Sequence, residues 1–131
     1  MINSQEIFNN SWDRIDAHQD AFLTLFYQNF LDSSDEIKEL FENVEMQNQK
    51  KMLRMSLLYL ISYASSQLPT SSLKKLTQVH KKLNIRKDQY DLWMDTLIKT
   101  IQSLDPKFNN KVEQAWRFTF KSGLDFMKES S

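Results

Sequence analysis

The chain has 131 residues (15.6 kDa), with 17 basic and 17 acidic side chains, one glycine, two prolines and no cysteine. That is one domain (1–131), long enough to bury a core without cross-links, and its single glycine, Gly123, excludes the glycine-rich loops of dinucleotide and Walker sites and the glycine turns of hairpin-rich β proteins. Without cysteine there is no disulfide scaffold, zinc ribbon or iron–sulfur cluster, and two histidines cannot close a zinc site, so any metal is expected to arrive inside a cofactor.

A net charge of zero offers no footprint for nucleic acid. The N-terminus, Met1-Ile2-Asn3-Ser4, runs straight into a charged amphipathic stretch without a leader pattern. The longest apolar run, Leu57 to Tyr63, is too short to cross a bilayer. A cytoplasmic protein acting away from membranes is expected.

Hydrophobic residues recur at helical spacing along nearly the whole chain. Phe8, Trp12 and Ile15 mark a first helix over about 3 to 16, with Asn3 and Glu6 spaced for a capping box. After the polar corner Asp16 to Asp20, the stripe Phe22, Phe26, Phe30 defines a second helix flanked by Leu23 and Tyr27. The cluster Asp32-Ser33-Ser34-Asp35 ends it and caps a short third helix reaching Leu40-Phe41. A polar stretch, Glu42 to Gln49, leads into a long helix through Met52, Met55, Leu57 and Leu58, which stops at the loop Ser65 to Ser72. Leu73, Leu76, His80 and Leu83 share one face of the next helix. Beyond a polar break at Asn84 to Lys87, Tyr90, Trp93, Met94, Leu97, Ile98, Ile101 and Leu104 make a wide apolar face. Asp105-Pro106 reads as N-cap and first position of a last helix that buries Val112, Ala115, Trp116, Phe120 and Gly123. The expectation is an all-α domain of about seven helices.

His80 stands out because an imidazole on a leucine stripe must find a partner or cost stability. Two readings are open. One is a core histidine satisfied by a nearby backbone carbonyl, the commoner situation for a buried polar group. The other is the axial ligand of a haem iron, which needs only one protein ligand on a helix lining an apolar slot.

The segments Phe26-Tyr27-Gln28-Asn29-Phe30, Glu39-Leu40-Phe41, Val79-His80-Lys81-Lys82-Leu83, Tyr90 and Gln114-Ala115-Trp116 together resemble the bacterial globins, above all the single-domain bacterial haemoglobins and the globin portion of flavohaemoglobins. The likeness runs in order along essentially the whole chain. Its strength lies in the intervals: 14 residues from Tyr27 to Phe41, 7 to Asn48, 32 on to His80 and 10 to Tyr90, each matching members of that family.

The resemblance implies a globin fold, a three-over-three helical sandwich around a haem pocket. His80 is then the proximal iron ligand, Phe41 the ring wedged against the haem, and Tyr27 the distal hydroxyl over the bound gas. The distal amide is one of Gln47, Asn48 and Gln49. Asn48 fits the interval to His80, and that register puts Lys51 near a haem propionate and Met52 over the pocket. Met52 then serves as apolar wall or, through its thioether, as a sixth ligand. Leu76, Val79, Leu83, Ile85, Trp93, Met94 and Leu97 would line the haem, and Tyr90 would reach towards His80. Relatives pair that tyrosine with a carboxylate of the last helix, but the nearby Glu129 has a different spacing here. His18, in a polar corner, reads as solvated.

The function so implied is a haem b globin that binds O2 reversibly, and CO and NO, with high affinity, for scavenging, NO detoxification or sensing. Ending at residue 131 without a reductase domain, it would need an external reductase for any NO dioxygenation. A monomer or weak homodimer is expected. The alternative is a non-haem, globin-like helical sensor binding an apolar ligand or a partner protein. A helical-bundle enzyme has no Glu-x-x-His pair to support it.

Overall fold

The computed structural model describes residues 3–130; Met1 and Ile2, with which the leader reading began, and Ser131 lie outside the described residues. These fold into seven α-helices, with no strand among them: α1 (Ser4–Asp16), α2 (Gln19–Ser33), α3 (Asp35–Leu40), α4 (Met46–Ser66), α5 (Ser71–Lys82), α6 (Lys87–Leu104) and α7 (Asn110–Glu129). Most starts are fixed by a side-chain acceptor on the free N–H groups of the first turn. Asn3 Oδ1 accepts from Glu6 N–H at 2.9 Å, Ser34 Oγ from Ile37 at 3.2 Å, Thr70 Oγ1 from Leu73 at 3.1 Å and Asn109 Oδ1 from Val112 at 2.9 Å.

Two boundaries differ from the sequence reading. The polar stretch before the long helix is already helical from Met46, because the Glu45 carboxylate accepts from the backbone of Gln47 (3.0 Å) and Asn48 (2.8 Å) and opposes the positive end of the helix dipole. Asp105-Pro106 does not open the last helix. Asp105 terminates α6, and α7 begins at Asn110. The Asp105 side chain is drawn inward instead. Its carboxylate accepts from Ser11 Oγ (2.6 Å), from Arg14 Nε and Nη2 (2.7 and 2.9 Å) and from the Lys107 backbone (2.9 Å). Four donors from two elements outweigh one local cap. Ser11 Oγ in turn accepts from Trp116 Nε1 at 2.8 Å, so a buried chain of hydrogen bonds joins α1, the α6–α7 corner and α7.

Around this network lies an aromatic core. Phe8 meets Trp116 edge-on at 4.9 Å, Trp116 stacks on Phe120, and Phe120 abuts Trp93. The main helix pairings are α2 with α6, α4 with α7 and α1 with α7, while α5 packs chiefly on α4. The one glycine sits at the α4–α7 crossing. A Cβ at Gly123 would come within 2.5 Å of Leu60 Cδ2, so the Leu60 methyl occupies the space that a side chain here would take.

Burial pushes the Asp105 carboxyl up, but Arg14, Ser11 and the Lys107 N–H outweigh it and hold the group below the ordinary carboxylate range. Its folded pKa thus lies below the unfolded value of about 3.9, so its stabilisation is complete above that pH and is lost as pH falls through the folded value. Asp105→Ala is expected to cost about 3 kcal/mol at pH 7 in urea unfolding, the gap to wild type closing below about pH 4. A gap that stays constant with pH would show that the ionised carboxylate is not what holds the corner.

Candidate functional site

Between α2, α3, α4, α5 and α6 the chain leaves a cavity of about 240 Å³. Phe30, Ile37, Leu53, Leu60, Leu124 and Met127 form its inner walls, and Leu40, Met52, Val79 and Leu83 its exposed rim. Few polar side chains interrupt this lining: Tyr27, Gln49, Ser56, His80, Gln89 and Tyr90.

Two of them face each other across a helix pair. Tyr27, on the Phe stripe of α2, is buried, and its ring packs edge-on against Phe41 at 5.6 Å. Phe41, just past α3, also meets Phe30 at 6.1 Å, so α3 delivers an aromatic wedge against the α2 stripe. In the first turns of α4, Gln49 Nε2 donates to Tyr27 Oη at 3.1 Å. Because the phenol oxygen accepts there, its own hydrogen remains free to donate elsewhere. Burial pushes the Tyr27 hydroxyl up to about 12, against the smaller opposing effect of the Gln49 amide. It is therefore a protonated donor throughout the physiological range.

On the other side, His80 Nδ1 lies 2.8 Å from the Leu76 carbonyl oxygen. A carbonyl can only accept, so the ring proton resides on Nδ1 and the neutral imidazole presents its lone pair at Nε2. Burial pushes the His80 pKa down and outweighs the Leu76 bond that raises it, favouring that neutral form. The Tyr90 ring lies 6.0 Å from the imidazole, and its hydroxyl is a buried polar atom without a hydrogen-bond partner among the described residues. Burial pushes this phenol, too, up to about 12. Among the described residues no group of three or more His, Cys, Asp or Glu side chains could hold a bare metal ion.

A family model for globins matches residues 24–125, well over half of the chain. The chain belongs to the globin family. Its fold agrees throughout: a crystal structure from Pseudomonas aeruginosa PAO1, of a protein described as structurally highly homologous to a human haemoglobin, superimposes with a TM-score of 0.88 at 31% sequence identity over 98% of both chains. Comparison with curated proteins gives no match. Globins as a family bind haem, and the cavity's chemistry fits one. An unprotonated imidazole nitrogen sits on an apolar wall, and the Tyr90 hydroxyl beside it lacks the partner that a buried polar group ordinarily has. No helix among the described residues is long and apolar enough to cross a membrane.

The sequence-derived candidates separate into two groups. His80, Phe41, Met52, Leu76, Val79, Leu83, Ile85, Tyr90, Trp93, Tyr27 and Gln49 all line this globin's cavity. Gln47, Asn48, Lys51, Met94 and Leu97 do not. Gln47, Asn48 and Lys51 are exposed, and Asn48 Nδ2 turns to Met52 Sδ at 3.5 Å, whereas Leu97 is fully buried in the core behind. With Glu45 fixing the start of α4, Gln49 is the amide whose side chain meets Tyr27, in place of the Asn48 favoured by the interval. Glu129 is exposed at the end of α7 and makes no bond to Tyr90. His18 is exposed, as read. Lining residues missed from sequence include Leu53, Ser56 and Leu60, which follow Gln49 along one face of α4, and Leu124 from α7. The α4 set was detectable by its spacing; Leu124 reaches the cavity only through the α4–α7 crossing.

An unsatisfied buried hydroxyl costs roughly 1–3 kcal/mol. Tyr90→Phe in the haem-free globin is therefore expected to raise stability by about 1 kcal/mol in urea unfolding. Equal or lower stability would mean that the hydroxyl is already satisfied.

Proposed function

We propose that this globin binds haem b through His80 and holds diatomic gases reversibly, with O2 the principal ligand and CO and NO also bound. The observation that carries this reading is the 2.8 Å bond from His80 Nδ1 to the Leu76 carbonyl, which presents an unprotonated Nε2 to an apolar cavity that also holds a hydrogen-bonded tyrosine–glutamine pair. When bound, haem b supplies an iron with one face open to a gas. The residues of the chain do the rest. His80 would hold the iron through Nε2, its ring angle and tautomer set by the bond to Leu76. Phe41 and Trp93 would flank the group, and Leu76 and Ile85 would keep water from the His80 side, with the exposed Val79 and Leu83 at the rim. Tyr27, oriented by Gln49, keeps a free O–H that would donate to a bound gas carrying partial negative charge. Such a donor slows release, so the role suits scavenging, NO removal or sensing better than bulk delivery.

Purified protein, or protein reconstituted with hemin, is expected to show a Soret band that is lost in His80→Ala. A protein that takes up no hemin would overturn the reading in favour of an apolar-ligand sensor. On the distal side, Tyr27→Phe should raise the O2 off-rate by about tenfold or more, as loss of one hydrogen bond of 1.4 kcal/mol would do. Among Gln47→Leu, Asn48→Leu and Gln49→Leu, only the last should alter ligand kinetics strongly. A larger effect at Asn48 would assign the distal amide to that residue and leave Gln49 as a wall.

A further inference from the structure

None of the chain's 17 acidic residues lies between Met46 and Lys87, a stretch that holds nine of its 17 basic ones. A chain of zero net charge is therefore two opposed parts, +9 over α4, α5 and the turn into α6, and −9 over the remainder. Of the nine, Arg54 pairs with Asp16, and Arg86 with Glu36 and Asp88. The seven lysines, Lys50, Lys51, Lys74, Lys75, Lys81, Lys82 and Lys87, make no ion pair among the described residues.

Their placement is not diffuse. At about 100° per residue, Leu73, Leu76 and His80 share the inner side of α5, while Lys74, Lys75, Lys81 and Lys82 occupy the outer half around Gln78, all exposed. This face also borders the cavity mouth, since Lys51, Lys75 and Lys82 each adjoin a lining residue: Met52, Leu76 and Leu83. Across the mouth, Glu36, Glu39 and Glu42 flank Leu40 and Phe41, so the rim is polarised from α3 to α5.

We infer that the lysine face of α5, together with Lys50 and Lys51, docks the acidic surface of an electron-carrying protein beside the cavity mouth. The inference rests on the haem reading for its purpose: the carrier would lose one electron and ferric haem iron, if held by His80, would gain it, with no bond made or broken. The residue types favour a protein partner. A helix that lies in a bilayer surface presents aromatic and apolar side chains to the lipid, and the outer half of α5 is lysine and polar, its exposed apolar side chains Val79 and Leu83 lying to the side at the cavity rim and none of them aromatic. Nucleic-acid recognition draws on arginine and stacking aromatics, and both arginines of the stretch are committed to carboxylates. Hydrated lysine ammonium groups steer encounter without locking it, as a short-lived electron-transfer complex requires.

The test uses isotope-labelled protein and an acidic [2Fe–2S] ferredoxin as probe, followed by NMR shift changes that need no haem. Shifts concentrated on α5 and around Lys50 and Lys51, and abolished by added salt, are expected. Lys74→Glu/Lys75→Glu/Lys81→Glu/Lys82→Glu should weaken binding by at least about tenfold at low salt. The milder glutamine quadruple should weaken it less, and Lys99→Glu/Lys107→Glu/Lys111→Glu should leave it unchanged. Shifts elsewhere, or none, would overturn the inference. So would tighter binding to vesicles of about 30% phosphatidylserine, to duplex DNA, or to a second copy of the chain, seen as concentration-dependent shifts without probe. Failure of hemin uptake with docking intact would overturn the haem reading alone.

Discussion

The bond from His80 Nδ1 to the Leu76 carbonyl is the constraint on which the cavity depends. It satisfies one ring nitrogen within a single helix, so the imidazole need not point outward for a partner. Because the acceptor carries no hydrogen, the proton position is dictated and the other nitrogen is left as a bare lone pair. Burial strengthens the effect by disfavouring the imidazolium. A histidine held this way needs no carboxylate beside it. The Tyr90 ring packs nearby, yet its hydroxyl has nothing to bond to, and Glu129 does not reach it. An imidazole bonded to a neutral carbonyl is a weaker electron donor than one bonded to a carboxylate.

The buried polar network lies away from the cavity lining. Asp105, Arg14, Ser11 and Trp116 knit α1 to the α6–α7 corner, with Phe8 and Phe120 packed around them. Two of the elements around the cavity are held more lightly: α5 rests chiefly on α4, and α3 is six residues long. Such a division lets a domain of this size keep an apolar hollow, since a void costs dispersion contacts that must be recovered elsewhere. Gly123 limits the hollow at its inner end. It admits the tip of the Leu60 side chain where a Cβ would otherwise sit.

Periodicity alone recovers the seven helices, because their apolar faces are long and strand patterns are absent. The Tyr27–Phe41–His80 frame was legible because side chains on rigid helices recur at fixed intervals. What failed was local register and competition. A one-residue choice among Gln47, Asn48 and Gln49 turns the side chain by about 100°, and the capping carboxylate of Glu45, with three consecutive amides following, makes that choice in three dimensions. Asp105-Pro106 has the composition of a helix start, but the side-chain donors that claimed its carboxylate, Ser11 and Arg14, lie more than 90 residues away in sequence. Long-range partners of that kind leave no local pattern. Leu124 is invisible for the same reason.

Whole-chain sums can hide what segments reveal. Zero net charge argues against a nucleic-acid footprint only if the charges are mixed, and here they are separated along the chain. Separation costs little when the unpaired lysines point to solvent, where each ammonium keeps its hydration. It nonetheless creates a field that extends about a Debye length, roughly 8–10 Å at physiological ionic strength, and falls off at high salt. Placed on the helix that carries His80, that field acts beside the exposed rim of the cavity. Fold and field therefore converge on the same helix. Its inner side is shaped by apolar burial and one backbone-satisfied imidazole, and its outer side by the absence of any acid to neutralise four lysines.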